Sequence, residues 1–346
     1  MPILEFRQVN KVLKSGLMRR PVYGLGPLNL KVEAGEIFGY LGPNGAGKTT
    51  SIKLAMGILR PDSGEVRFFG RHSGGSEARN RVGFLPERPY FYQHLTAFEL
   101  LDFYGELFGI SGPTRRERAM RLLDMTGLKE SAHTKLSKFS KGMLQRVGFA
   151  QALINDPEIV ILDEPLSGLD PTGRRQIRDL VLGLRSTGKT VFFSSHVLQD
   201  VEMICDRVGI LLNGKLLRAA TMKDILSETL RYIEVVVEGL NGETLRDLGF
   251  DGSEDKAGSV FLRLGSDEEA GEAVRAISRA GGRITSMVPQ RQTLEDYFMR
   301  NISEDAAPEN KPPEMPRTPA LSEEASAALS AITRRRGNAD KVGVEH

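Results

Sequence analysis

Between Ile37 and Met56 the sequence carries a short apolar strand pattern, Ile37-Phe38-Gly39-Tyr40-Leu41, then Gly42-Pro-Asn-Gly-Ala-Gly47-Lys48-Thr49, then a helical pattern, Ile52-Lys53-Leu54-Ala55-Met56. Strand, glycine loop and helix in that order form the context that a G-x-x-x-x-G-K-[ST] run requires. Glycines let successive backbone N–H groups turn inward around an anion without a Cβ clash. The helix N-terminus adds about half a positive charge at the same point. Gly42, Pro43, Asn44, Gly45, Ala46, Gly47, Lys48, Thr49 and Thr50 are therefore the candidate phosphate cradle. Lys48 would reach the β and γ phosphates, and the Thr49 hydroxyl would ligate Mg²⁺. A glycine-rich turn that happens to precede Lys-Thr is the bland alternative, outweighed by the flanking strand and helix.

Two further strand ends carry chemistry. The apolar run Ile159–Leu162 ends in Asp163-Glu164, and ligands of a parallel sheet gather beyond the carboxyl ends of its strands. Strand alternation points the two carboxylates differently, so Asp163 can serve Mg²⁺ while Glu164 faces the attacking water as general base. Thr190–Ser194 ends near His196, which could hydrogen-bond the γ-phosphate or that water. An acidic pair at a strand end and a structural histidine are the ordinary readings of each alone; their order behind Lys48-Thr49 favours the functional one. Between loop and acidic strand, Ser140 is a good N-cap for a helix continuing through Leu144 and Val147, and its N-terminus with Gly142 makes a second anion site.

Composition sets outer limits. Among 346 residues, 47 basic and 45 acidic side chains leave a net charge of +2, which gives no global argument for nucleic acid. A single cysteine, Cys205, excludes an internal disulfide framework. No apolar run reaches the roughly 18 residues of a spanning helix, and the start of the chain lacks a secretory pattern. Residues 1–225 alternate strand and helix patterns, as in a mainly parallel sheet covered by helices. Residues 226–303 read as a small α+β unit of strand, strand, helix and strand. Residues 304–346 are rich in Pro, Ala, Ser and Glu and are expected to be a disordered tail.

The order of these elements resembles the ATP-binding cassette family, specifically the nucleotide-binding subunit of an ABC transporter. GPNGAGKTT is similar to its Walker A, IVILDEP to its Walker B with Glu164, SGLDP to its D-loop with Asp170, and SSHVLQDVE to its His-switch segment with His196. FSKGM stands where the family usually has LSGGQ; Ser140 and Gly142 are kept, while Phe139, Lys141 and Met143 depart from the pattern. Glu87 stands where the family usually has Gln, a carboxylate that can still meet Mg²⁺ but cannot donate a hydrogen bond. Both departures, and the Thr293–Phe298 segment, resemble cassettes of the polysaccharide- and drug-export type.

The resemblance implies an α/β fold: a P-loop NTPase, ABC ATPase domain with a mainly parallel sheet and a helical subdomain, then the small α+β domain and the tail. It implies ATP and Mg²⁺ as ligands, with Lys48, Glu164 and His196 catalytic, Thr49, Asp163 and Glu87 at the metal, and Ser140 and Gly142 acting on a nucleotide held by a second such subunit. An aromatic residue for adenine stacking falls at Tyr23, one residue from the family's position. The implied partners are a second nucleotide-binding subunit and a separate transmembrane permease, with the chain cytoplasmic and peripheral on the membrane; no nucleic acid is expected. A non-transport cassette acting on ribosomes or DNA is the alternative. Among the aromatics between Tyr90 and Phe108, Phe98, Leu101 and Leu107 follow core spacing, whereas Tyr90, Phe91 and Tyr92 cannot all face one core and are candidates for docking the permease.

Overall fold

The structure is a computed structural model that describes residues 1–15, 20–226, 230–254, 259–291 and 293–298. The expected tail, residues 304–346, lies outside the described residues.

β1 (Leu4–Ser15) and β2 (Arg20–Val32) pair antiparallel, and β3 (Ile37–Leu41) runs into the glycine loop and α1 (Lys48–Ala55). β4 (Ser63–Phe68) and β5 (Arg71–His72) extend the first pair into an antiparallel sheet of order β2-β1-β4-β5. After α2 (Ser76–Arg79) and β6 (Val82–Leu85), the chain is helical: α3 (Ala97–Leu107), α4 (Gly112–Met125) and α5 (Lys141–Ala152). Thr96 starts α3 with a capping box, its hydroxyl accepting from the Glu99 N–H and the Glu99 carboxylate accepting from the Thr96 N–H. β7 (Ile159–Leu162), α6 (Pro171–Ser186), β8 (Thr190–Ser195), α7 (Leu198–Ile204), β9 (Arg207–Leu212), β10 (Lys215–Thr221) and α8 (Met222–Ile225) complete this part. The central sheet has the order β10-β9-β3-β8-β7-β6, parallel throughout except for β10.

The parity of its strands explains the layers. Ile37 and Leu41 of β3, Val160 and Leu162 of β7, and Val191 and Phe193 of β8 face a core shared with the helices. Their alternates, Phe38, Tyr40, Ile159, Ile161 and Phe192, face a second core shared with α1 and the antiparallel sheet. Because both faces are covered, these strands are apolar at nearly every position.

The third sheet, in residues 230–291, has its own core. β11 (Leu230–Glu238), α9 (Gly242–Asp247), β12 (Gly252–Glu254), β13 (Val260–Leu264), α10 (Asp267–Arg279) and β14 (Arg283–Arg291) give the antiparallel order β12-β13-β11-β14. Ile233, Val235, Val237, Val260, Leu262 and Leu264 pack with Leu245, Ala270, Ala273 and Ile277. Sequence periodicity misses α9 and β12, which are too short to show a period; Asn241, which caps α9 by accepting from the Thr244 N–H, is their local signal. Past β14, Thr293 and Asp296 exchange N–H and side-chain bonds in a helical turn. Leu294 there is fully buried, in the same core as Val201, Ile204 and Met222.

Two expectations about the aromatic stretch are corrected. Phe91 is buried in the helical core, so Tyr90 and Tyr92, 89% and 54% exposed, are the accessible pair. Leu107, expected in that core, is exposed at the last turn of α3.

Candidate functional site

Lys48, Thr49, Glu87, Asp163, Glu164 and His196 all follow the carboxyl ends of central strands, whereas Ser140 and Gly142 stand at the start of α5. After β3, the loop turns on Gly45 and Gly47, both at positive φ (83° and 106°), where a side chain would be strained. Gly42 is tight for a second reason: a Cβ there would lie 2.4 Å from the Leu211 carbonyl. Gly47 is the N-cap of α1 and supplies no side-chain cap, so the first N–H groups of the helix are left for a ligand.

Lys48 is 6% exposed and donates to the carbonyls of Gly42 (2.6 Å) and Pro43 (3.3 Å). Its Nζ also lies 3.1 Å from Glu164 Oε1. At the end of β7, Asp163 Oδ1 accepts from the Ser194 hydroxyl at 2.7 Å and from the Thr49 hydroxyl at 3.3 Å. Desolvation holds the Asp163 carboxyl above its ordinary pKa; the Ser194 and Thr49 bonds oppose this, and the charges of Glu164 and Glu87 add to it. A buried carboxylate beside a hydroxyl, both oxygen donors, is a pair suited to a hard divalent ion.

Glu164 sits at φ 50°, a left-handed backbone that costs a non-glycine residue about 1–3 kcal/mol. Its N–H donates to the Ser194 hydroxyl at 2.9 Å, and its Oε2 lies 2.8 Å from His196 Nδ1. The strained residue is thus held between Lys48 and His196, with one carboxylate oxygen on each.

A cavity of about 390 Å³ opens over these groups. Pro43, Asn44, Gly45, Gly47, Lys48, Thr49, Thr50, Glu87, Glu164 and His196 line it, joined by Gly24 and Ser167. Gly42, Ala46 and Asp163 are not among the lining residues; Ala46 and Asp163 are buried. Ser140 and Gly142 do not line it. Ser140 is exposed and caps α5 by accepting from the Met143 N–H at 3.3 Å. The Tyr23 side chain lies outside the described residues. Sequence reasoning misses Ser194, whose hydroxyl ties Asp163 to the Glu164 backbone; its signal is its place in a strand beside the acidic one, two residues before His196. It also misses Gln145, buried and donating to the Pro165 carbonyl at 3.0 Å, which links α5 to the loop after Glu164.

A family model described as ABC transporter matches residues 25–167. An uncharacterized ABC transporter ATP-binding protein of Synechocystis is 42% identical over 314 residues, 87% of this chain and 85% of the relative. The chain is an ABC transporter ATP-binding subunit. The bacitracin transport ATP-binding protein BcrA of Bacillus licheniformis is 34% identical over 80% of the subunit and 91% of its own length. A fluoroquinolones export ATP-binding protein of Mycobacterium tuberculosis is 38% identical over 68% and 79%. Among solved structures, a dimeric ATP-binding cassette in a post-hydrolysis state with ADP and phosphate covers 63% of the subunit and 98% of itself, at 28% identity and a TM-score of 0.58. The subunit is accordingly an ATPase of the expected α/β P-loop class. Its alternative reading, a cassette acting on ribosomes or DNA, is not favoured. Among the described residues no helix is long and apolar enough to cross a membrane.

Proposed function

We propose that the subunit closes head-to-tail with a second nucleotide-binding subunit on two ATP molecules, and that this cycle drives export through a separate transmembrane permease. The observation that carries the proposal is the division of the site. Most of the cradle, with Glu87, Glu164 and His196, lines one cavity, while the start of α5, with exposed Ser140 and half-buried Gly142, lies outside that lining. Such a half-site is completed by the α5 end of another copy.

In the closed state Lys48 and the amides at the start of α1 hold the β and γ phosphates, and Ser140 and Gly142 of the other copy contact the γ-phosphate from its far side. Thr49 and Asp163, with Glu87 at the rim, would hold Mg²⁺, which would supply neutralisation of phosphate charge. Glu164 takes the proton of the attacking water, and His196 fixes the carboxylate through its 2.8 Å contact. Loss of the γ-phosphate removes the groups that bridge the copies, so the dimer reopens.

Export is supported by the relative that carries that description, and a permease by the transport descriptions of the relatives. Working with such a permease places the chain on the cytoplasmic face of the membrane. The described exposed pair Tyr90 and Tyr92 is the docking candidate. Residues 1–225 form the ATPase domain in this reading, and residues 226–303 an accessory domain. Capture of the tagged subunit from solubilised membranes should bring down a polytopic chain in comparable amount. Tyr90→Ala with Tyr92→Ala should leave the ATPase activity of the isolated subunit unchanged and remove its stimulation by that partner. Recovery of ribosomes without a membrane chain would overturn the proposal.

A further inference from the structure

α7 begins two residues after His196 and carries a buried carboxylate with no part in the chemistry described above. Asp200 is 2% exposed. Its Oδ1 accepts from Arg178 Nη1 at 3.2 Å, and its Oδ2 lies 3.5 Å from the Arg174 guanidinium, with no hydrogen bond among the described residues. Both arginines stand on α6, whose N-cap is Asp170. Arg174 Nε also reaches the Leu166 carbonyl at 3.5 Å, two residues past Glu164. Asp200 therefore joins the helix that follows His196 to the loop and helix that follow Glu164.

The same helix is gripped on two other sides. Val201 and Cys205 sit directly on Gly39 of β3, where an added Cβ would lie 2.6 Å from Val201 Cγ1 and 2.7 Å from Cys205 Sγ. The Leu294 N–H donates to Glu202 Oε2 at 3.3 Å, and the Leu294 side chain is fully buried in the core that holds Val201 and Ile204. A seven-residue helix held this tightly has little freedom, and whatever moves it moves His196, two residues before its start.

We propose that α7 is a positioning element for hydrolysis. Asp200, through Arg174 and Arg178, and Leu294, through Glu202 and the core, hold His196 against Glu164, and the segment 293–298 thereby sets turnover without touching nucleotide. The proposal rests on the reading of His196 and Glu164 as the hydrolytic pair. Coupling of this kind is demonstrated by non-additivity rather than by proximity.

The test uses the full chain and compares Asp200→Asn, Leu294→Ala and His196→Ala with the two double variants that contain His196→Ala. Steady-state and single-turnover ATPase rates are measured together with ATP binding. Asp200→Asn keeps the side-chain shape and should lower kcat about tenfold while KM stays within about twofold; Leu294→Ala should lower kcat about threefold. In the His196→Ala background neither change should lower kcat further. An Asp200→Asn loss that persists undiminished in that background, or that appears in KM and kcat alike, overturns the proposal, as does wild-type turnover by Asp200→Asn itself. Should Leu294→Ala unfold the C-terminal residues, Glu202→Ala, which removes the acceptor of the Leu294 N–H, takes its place; wild-type turnover by the folded variant overturns the role of the segment 293–298. Wild-type turnover by His196→Ala would instead overturn the underlying reading of His196, so the two failures are distinguishable.

Discussion

At the carboxyl end of β7, two adjacent carboxylates are buried, one on a left-handed backbone, and Glu164 Oε1 has an ion pair but no hydrogen bond. In the sheet of residues 230–291 the buried positions of β11 and β13 are all aliphatic, and α9 and α10 open on side-chain caps from Asn241 and Ser266. Both regions are sheets covered by helices, yet the first concentrates costs and the second avoids them. The costs fall where a nucleotide and a cation would offset them: desolvated Asp163, strained Glu164, uncapped α1. A region built for folding alone satisfies its polar groups locally, whereas a working site leaves some for its ligand.

The comparison can be broken most directly at Glu164. Glu164→Gln keeps the shape and the His196 contact but removes the proton acceptor, so turnover should fall about 10³-fold with ATP binding retained. Normal turnover in a radiolabelled-phosphate assay would remove Glu164 from the chemistry. The C-terminal sheet should respond in the opposite sense. Leu262→Ala should cost that sheet's core about 3 kcal/mol while leaving ATP affinity unchanged. Because the chain has no tryptophan, a Phe261→Trp reporter in denaturant unfolding reads that region alone.

A smaller effect sharpens the contrast. Asp163 has a folded-state pKa raised by burial, so the native state binds its proton more tightly than the unfolded chain does. Stability is therefore lost as pH rises through that range. Without nucleotide, Asp163→Asn should melt above the wild type by ~2 °C at pH 8, and the gain should shrink towards pH 4. Equal melting at both values would mean that the buried charge carries no cost.

The same contrast governs what could be read from the sequence. The cradle was legible because glycines and a lysine at fixed spacing have few other uses, and β3, β7 and β8 were legible because strands covered on both faces are apolar throughout. The sheet order places the ends of β3, β7 and β8 side by side, but only coordinates show that Glu164 is shared between Lys48 and His196. Ser194 escaped notice since a hydroxyl in an apolar strand carries no pattern of its own. Helical spacing names a face for Leu107 but not where the helix end leaves it uncovered. Three consecutive aromatics show only that Tyr90, Phe91 and Tyr92 cannot share one core, while the path of the loop before α3 decides that Phe91 is the buried one. The docking of Leu294 on α7 joins residues about 90 apart and had no local signal.

In the proposed cycle each ATP site is built from two copies, with Lys48 on one and Ser140 on the other. Lys48→Ala and Ser140→Arg subunits should each be inactive alone, since every site in either homodimer lacks one half. Mixed together, they form dimers in which one site has lost both halves and the other is intact, so turnover should reappear. A mixture as inactive as its components, with mixed dimers demonstrated by differential tagging, would contradict the account.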